Sequence, residues 1–455
     1  MRHGEAEPPG QVLAPDRRDY GYMFGETSNP LDGGSVDELA QLMKARQNTS
    51  TGTPYIPAGY TYLGQFIDHD ITFDPTSHRA PVTKADIENF RTPRLDLDSL
   101  YGSGPVVHPF LYDWQHEEAP GARLLVGQNA EDGNEDLPRN VPGRALVGDV
   151  RNDENAIVAQ LHLLFIKFHN AVLDGLPKQN RHWQELFEEA RSIVRWHYQW
   201  IVVHEFLPTV LGPQLAKELI GDRPRSGVPR IRRRWLPKRW EPYVPLEFSI
   251  GAYRFGHSLV RSHYILRRDG GTARPPLRLF PDLQGQRPLR AELVIDWRRF
   301  FRFEQLGARH EPQNGLQIDS ALSGPLFDLP DGGGSLAERT LTRAAIRRVP
   351  SGQEVARRLG LKPLDAAALR LADLPPQARG RVLTATPLWY YVLCEAEREG
   401  GDHLGPLGGR VVADVILRLL GSDPTSYVHQ KDWRPSLGVW EPNEFRMTDL
   451  IEVAT

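Results

Sequence analysis

The stretch RNDENAIVAQLHLLFIKFHNAVLDGL, residues 151–176, decides the fold class. Ile157, Val158, Leu161, Leu164, Phe165 and Phe168 recur in it at helical spacing, which predicts a long helix starting near Asp149. A second stripe runs from Trp183 through Leu186, Ile193, Trp200, Val203 and Phe206, with Pro208 and Gly212 as its expected end. Shorter helical patterns occupy VDELAQLMKARQ ending at Gln47, EFSIGAYRFGHSLVRS (247–262), and segments from Leu336, Gly352, Asp365, Thr386 and Gly408. Strand-like alternation is sparse, and no repeat of about 20 to 50 residues is visible. The expected class is mainly α with long loops.

Working outward, 455 residues allow two or three domains of about 150 residues, or one large one. The 41 Gly and 38 Pro mean that much of the chain is loop. Residues 1–50, rich in Gly, Pro, Ser, Asp and Asn, read as an arm packed on a body formed by 51–455. The net charge of −3 removes any global electrostatic case for nucleic acid or an anionic membrane. The local basic run RPRSGVPRIRRRWLPKRW (223–240) fits a solvated loop with Trp235 and Trp240 turned inward better than a nucleic-acid contact. A single cysteine, Cys394, excludes a disulfide framework, a Cys-rich zinc site and a cysteine-ligated iron–sulfur cluster, so any metal rests on nitrogen and oxygen. Cys394 itself lies in a helix-like segment and reads as a small buried hydrophobe. The N-terminus has no apolar signal core, and no stretch approaches the ~20 uncharged apolar residues of a membrane span. The expected product is soluble.

Four segments carry ionisable residues where burial would be costly without a partner. In Asp68-His69-Asp70, a helix at ~100° per residue places Gln65, Asp68 and His69 on one face and Asp70 on another. A protected His beside a carboxylate suits proton transfer near neutral pH, and a satisfied core histidine is the bland alternative. TPRLDLDSLYG (92–102) alternates Thr92, Asp96 and Asp98 in an oxygen-rich loop able to supply calcium ligands, with Asp70 a natural addition; a solvated acidic turn is the other reading. In GDVRNDENAIV, Asp149 can cap the long helix, but Arg151 at its positive end needs another explanation, such as an anionic or polar ligand; Glu154 stands three residues on. In GAYRFGHSLV, Gly256 beside His257 leaves room for a planar group, and a neutral imidazole is a common axial iron ligand; a lone helical His is also often a core residue.

Together and in this order, the four segments closely resemble the animal-type haem peroxidases, the myeloperoxidase and cyclooxygenase superfamily, and especially its bacterial members. The resemblance runs from about Tyr60 to Leu420 and takes in VPSGQEVARRLG (349–360), TPLWYYVL (386–393) and GPLGGRVVADV (405–415). It implies one large helical domain with long loops wrapped around a haem-binding core. By resemblance, His69 is the distal acid/base, Gln65 its pocket partner and Arg151 the distal arginine. Asp68 and Glu154 stand where ester bonds to haem form, so the implied cofactor is haem b or ester-linked haem. His257 matches the proximal iron ligand, and Asp70, Thr92, Arg94 through its carbonyl, Asp96 and Asp98 match a Ca2+ site.

Three positions depart from the family. Asn155 replaces the Met of members with a third haem link, so no sulfonium bond is expected. Arg254 occupies the place of the oxygenase branch's radical tyrosine, with Tyr253 one residue too early. Thr340, in RTLTR, replaces the Asn that accepts the proximal imidazole N–H. The implied activity is oxidation of a halide, pseudohalide or small phenolic donor by hydrogen peroxide through a ferryl intermediate. The alternatives are a fatty-acid dioxygenase or peroxygenase on the same scaffold, and a non-catalytic haem- and calcium-binding protein. The resemblance leaves the oligomeric state open. Secreted animal members of the family are disulfide-linked, so a cytoplasmic location is expected, with signal-peptide-independent export as the alternative.

Overall fold

A computed structural model describes residues 20–46, 56–74, 88–129, 131–221, 242–269, 272–307 and 311–455. The basic run 223–240 and Gln47 lie outside the described residues. In chain order the helices are α1 (Gly33–Ala45), α2 (Gly59–Ile71), the single turn α3 (Asp98–Tyr101), α4 (Ala156–Asp174), α5 (Trp183–Ile201), α6 (Leu207–Leu219), α7 (Leu336–Ile346), α8 (Gly352–Arg358), α9 (Pro376–Thr384), α10 (Leu388–Arg398), α11 (Pro406–Ser422) and α12 (Met447–Ala454). Strands among the described residues are four antiparallel pairs of two residues each, such as Tyr112–Asp113 with Arg123–Leu124. The class is mainly α.

The core forms where α2, α4 and α5 meet. Phe66 stacks on Phe165 with centroids 4.7 Å apart, and the Tyr198 ring stands edge-on to both. Fully burying one such side chain stabilises by about 1.5–3 kcal/mol, so this cluster sets the crossing of the three helices. Helix α4 is 19 residues long with mean hydropathy 1.5, long and apolar enough to be a candidate span by length and composition alone, although with Lys167 and Asp174 it is not an uncharged apolar run. It is 89% buried within the protein, which makes it a core helix wrapped by others.

Several boundaries differ from those expected. Asp149 does not cap the long helix. It caps a 3₁₀ turn, Val150–Asp153, by accepting from the Arg151 amide, and α4 starts after Asn155, whose side chain accepts from the Ile157 and Val158 amides. Arg151 and Glu154 therefore precede α4 on a separate turn and are not in its first turn. Pro208 does not end the second helix, which continues through a π segment, Val202–Phe206, into α6, where Pro208 occupies the first turn. The break comes at Gly212, whose φ of 71° favours glycine and whose missing Cβ leaves space for the His403 ring. Around residue 250 the chain forms a π segment, Glu247–Gly251, then a 3₁₀ segment, Ala252–His257, in place of an α-helix. Asp365 opens only turns, and the helix there begins at Pro376.

The described part of the N-terminal segment, 20–46, lies against the body. The Glu247 carboxylate, fully buried, accepts from the Met23 and Phe24 amides at 2.9 and 2.8 Å, and the Thr27 hydroxyl donates to Glu354 at 3.1 Å.

Candidate functional site

A cavity of about 550 Å³ lies between α2, the turn before α4, the segment 246–260 and α7. Helix α2 presents Gln65, Asp68 and His69 to it, the turn presents Arg151 and Glu154, and the 3₁₀ segment ends in it at His257. Asp70, one residue past His69 and about 100° round the helix, is fully buried on another face.

His69 is fixed by a residue that the sequence did not single out. Its Nδ1 lies 2.8 Å from Asn152 Oδ1, and Asn152 Nδ2 lies 2.9 Å from Nδ1 of a further buried histidine, His162 of α4. A carbonyl oxygen only accepts, so His69 carries its proton on Nδ1 and turns a bare Nε2 to the cavity. Burial first, and the nearby Arg151 charge second, push the His69 pKa down to about 3, which keeps the ring neutral and able to accept a proton.

Arg151 is held in the wall. Asp149 accepts from its Nε and Nη2 at 3.1 and 2.7 Å, the Thr72 carbonyl also accepts from Nη2, and the guanidinium carbon sits 4.7 Å from the centroid of Phe73. Its Nη1 makes no hydrogen bond to the described residues. Burial opposes charging Asp149, but the Arg151 hydrogen bond and charge outweigh it and hold that carboxyl down at about 2. Glu154 accepts from Gln65 Nε2, and desolvation raises its carboxyl to about 7. Asn155, besides capping α4, donates to Gln65 Oε1 at 3.4 Å. Asp68 accepts from the Thr72 hydroxyl at 3.0 Å.

On the His257 side, the Trp389 indole donates to the Arg254 carbonyl at 3.0 Å and stands edge-on to the His257 ring. Burial, then the Arg254 charge, push the His257 pKa down to about 3. Its Nδ1 is enclosed without a hydrogen-bond partner, leaving Nε2 as the nitrogen open to the cavity. Thr340 lines the cavity, but no hydrogen bond joins it to His257. The reach of a threonine hydroxyl is shorter than that of the amide it replaces, which accounts for the gap. The hydroxyl of Tyr253 is buried without a partner, and its ring stacks on Phe248 at 4.5 Å. Tyr253 lines the cavity although it stands four residues, not three, before His257.

Beside the cavity, Asp70, Asp96 and Asp98 bring carboxylate oxygens within 4.8 Å of one another. Both oxygens of Asp70 are buried without partners. Thr92 joins the group, its hydroxyl donating to Asp96 at 2.8 Å and its amide to Asp98 at 3.0 Å. The Arg94 side chain turns to Asp423, 3.7 Å away. Leu97, at φ 61°, bends the chain between the two acids. Burial first, then Asp96, holds Asp70 well above the ordinary carboxylate range and Asp98 up at about 7. Cys394 is buried in α10, its thiol against the Leu369 carbonyl at 3.7 Å, far from any role as a ligand loop.

A mainly α fold gathers two histidines, an arginine and two carboxylates about one cavity able to hold a cofactor, with an acidic cluster behind it. Residues 80–292 match the family model for animal haem peroxidase. Human thyroid peroxidase is 28% identical over 200 residues, 40% of this chain and 20% of that protein. Peroxidase A from Dictyostelium discoideum superposes with a TM-score of 0.65 at 18% identity, covering 94% of both chains. The fatty acid alpha-dioxygenase of Oryza sativa superposes with a TM-score of 0.63 at 18% identity, covering 89% of this chain and 76% of that one. The family match thus covers just under half of the chain, and the fold is shared with both solved structures. The matched segment spans about a fifth of the length of the thyroid peroxidases.

Proposed function

We propose that this chain is a haem-dependent peroxidase that uses hydrogen peroxide to oxidise a halide, a pseudohalide or a small phenolic donor. The observation that carries the reading is that His69 and His257, from segments far apart in sequence, line one cavity, His69 offering it a bare Nε2 and His257 a ring whose Nδ1 has no partner. The residues fit haem: His257 would hold the iron, and Arg254, Arg339 and Arg343, which line the same cavity, would supply positive charge for its propionates. Haem bound there supplies the redox chemistry.

The chain's own residues manage protons and charge. His69 Nε2 takes a proton from the incoming peroxide and returns it to the departing oxygen, which leaves as water. Asn152 keeps the proton on Nδ1 throughout. Arg151 places positive charge where negative charge develops as the O–O bond breaks. Asp68 and Glu154 are the candidates for ester links to haem.

The orphaned carboxylate of Asp70 with Asp96, Asp98 and Thr92 fits a calcium ion, a hard cation that takes oxygen ligands; the Arg94 carbonyl is a further ligand by resemblance. Steady-state oxidation of bromide, iodide and a phenolic dye by peroxide tests the reading. Absence of all three activities from haem-loaded protein would overturn it.

The buried hydroxyl of Tyr253 in the cavity favours a second reading, a fatty-acid oxygenase. Uptake of dioxygen with a lipid and without peroxide distinguishes it. No nucleic acid partner is proposed, and a cytoplasmic location is.

A further inference from the structure

Behind the cavity, Asn152 is fully buried on the 3₁₀ turn and His162 is buried one and a half turns into α4. The carboxamide of Asn152 spans the two imidazoles, with Oδ1 2.8 Å from His69 Nδ1 and Nδ2 2.9 Å from His162 Nδ1. A carboxamide has one accepting and one donating end, so its two neighbours cannot choose tautomers independently. With the oxygen toward His69, that ring must be protonated at Nδ1. With the nitrogen toward His162, that ring must be bare at Nδ1 and protonated at Nε2. Rotating the carboxamide by half a turn reverses both, and His69 would then present an N–H to the cavity and could accept no proton there.

We propose that His162 and Asn152 are positioning residues that fix the tautomer of His69, His162 acting through the amide without touching the cavity. The inference deepens the peroxidase reading and rests on it for its catalytic meaning. Among the described residues no other group bonds His69 Nδ1, and the Phe66 ring packs edge-on against His162, 6.1 Å between centroids, which holds the second imidazole in place. A sequence-distant pair is thus tied into a single polar chain inside an apolar core, where an unmade bond is costly.

The test uses the full chain loaded with haem, reduced and bound to carbon monoxide so that it is diamagnetic, with 15N-labelled histidines. Long-range 15N–1H correlation reads the tautomer of each ring directly. The expected result is Nδ1–H for His69 and Nε2–H for His162. Asn152→Asp offers an acceptor at both ends, so His69 should keep Nδ1–H while His162 switches to Nδ1–H, a change that a merely space-filling role would not produce. His162→Phe keeps the ring packing and removes the acceptor, and His69 should then lose its single tautomer. The rate of reaction with peroxide should fall about 10- to 100-fold in His162→Phe and much less in Asn152→Asp. Nε2–H on His69 in the unaltered protein, or an unchanged His69 tautomer in His162→Phe, overturns the inference. If His162→Phe does not fold, an unswitched His162 in Asn152→Asp overturns it equally. Correct tautomers in a protein inert to peroxide would instead count against the peroxidase reading alone.

Discussion

Asp149 holds Arg151 by its backbone and by its guanidinium: Oδ1 accepts from the Arg151 amide at 2.9 Å and from Nε at 3.1 Å, and Oδ2 accepts from Nη2 at 2.7 Å. The same Oδ2 accepts from Arg91 Nε at 3.0 Å, and Arg91 reaches Asp98 at 3.4 Å. A ladder of alternating charge, Asp98, Arg91, Asp149 and Arg151, therefore runs from the acidic cluster to the cavity. Asp149→Asn leaves two guanidinium groups sharing no buried anion. It should destabilise the fold by about 3–5 kcal/mol and slow the peroxide reaction about 10- to 100-fold. Urea unfolding and stopped-flow spectroscopy measure the two effects; a loss below about 0.5 kcal/mol would show that the ladder holds nothing.

His69→Ala removes the proposed proton carrier and leaves His257 untouched. The variant should bind haem with its Soret band intact, while the spectral change on adding one equivalent of peroxide slows by about 10²–10⁴-fold. An unchanged rate would remove His69 from the mechanism.

Calcium should stabilise the protein in a pH-dependent way. Burial, then Asp96, holds the Asp98 carboxyl up at about 7 in the metal-free protein and Asp70 well above its ordinary range. An acid whose pKa is higher folded than unfolded stabilises the fold fully below its unfolded value near 3.9 and loses that contribution as pH rises through the folded value. The metal-free chain should thus weaken between about pH 4 and 7. Calcium bound to the ionised carboxylates should reverse this, adding about 2.7 kcal/mol at a hundred times its Kd. The rise in Tm on adding calcium to chelator-treated protein should be larger at pH 7.5 than at pH 5, and Asp70→Asn should reduce it. A Tm indifferent to calcium at both pH values contradicts the assignment.

The legible parts of this site were those set by local geometry. The 100° step of a helix separates Asp70 from Gln65, Asp68 and His69 whatever surrounds it, so that division of labour could be read from the sequence. Asn152 could not, because its partners lie 83 residues before and 10 after it and meet only once α2 docks on α4. A signal did exist for Asn155, a good capping residue immediately before an apolar run, but Asp149 offered a competing one six residues earlier. The winding near His257 was hidden for a different reason. Apolar spacing over so few residues does not distinguish π and 3₁₀ turns from an α-helix.

The carboxylates flanking the cavity give the last prediction. Glu154 is open to the cavity, yet the protein around it strips away enough water to raise its carboxyl to about 7, and Gln65 Nε2 holds one of its oxygens. Asp68 lines the same cavity from α2, steadied by the Thr72 hydroxyl. Both side chains are thus held at the edge of the space that haem would fill, as ester formation requires. After loading with haem and brief treatment with peroxide, acidified organic solvent should fail to extract the haem. Glu154→Gln and Asp68→Asn should each release part of it, and the double variant all of it. Mass spectrometry of proteolytic peptides should find haem on the fragments carrying residues 68 and 154. Complete extraction of unmodified haem from the treated protein would show that these carboxylates only line the cavity.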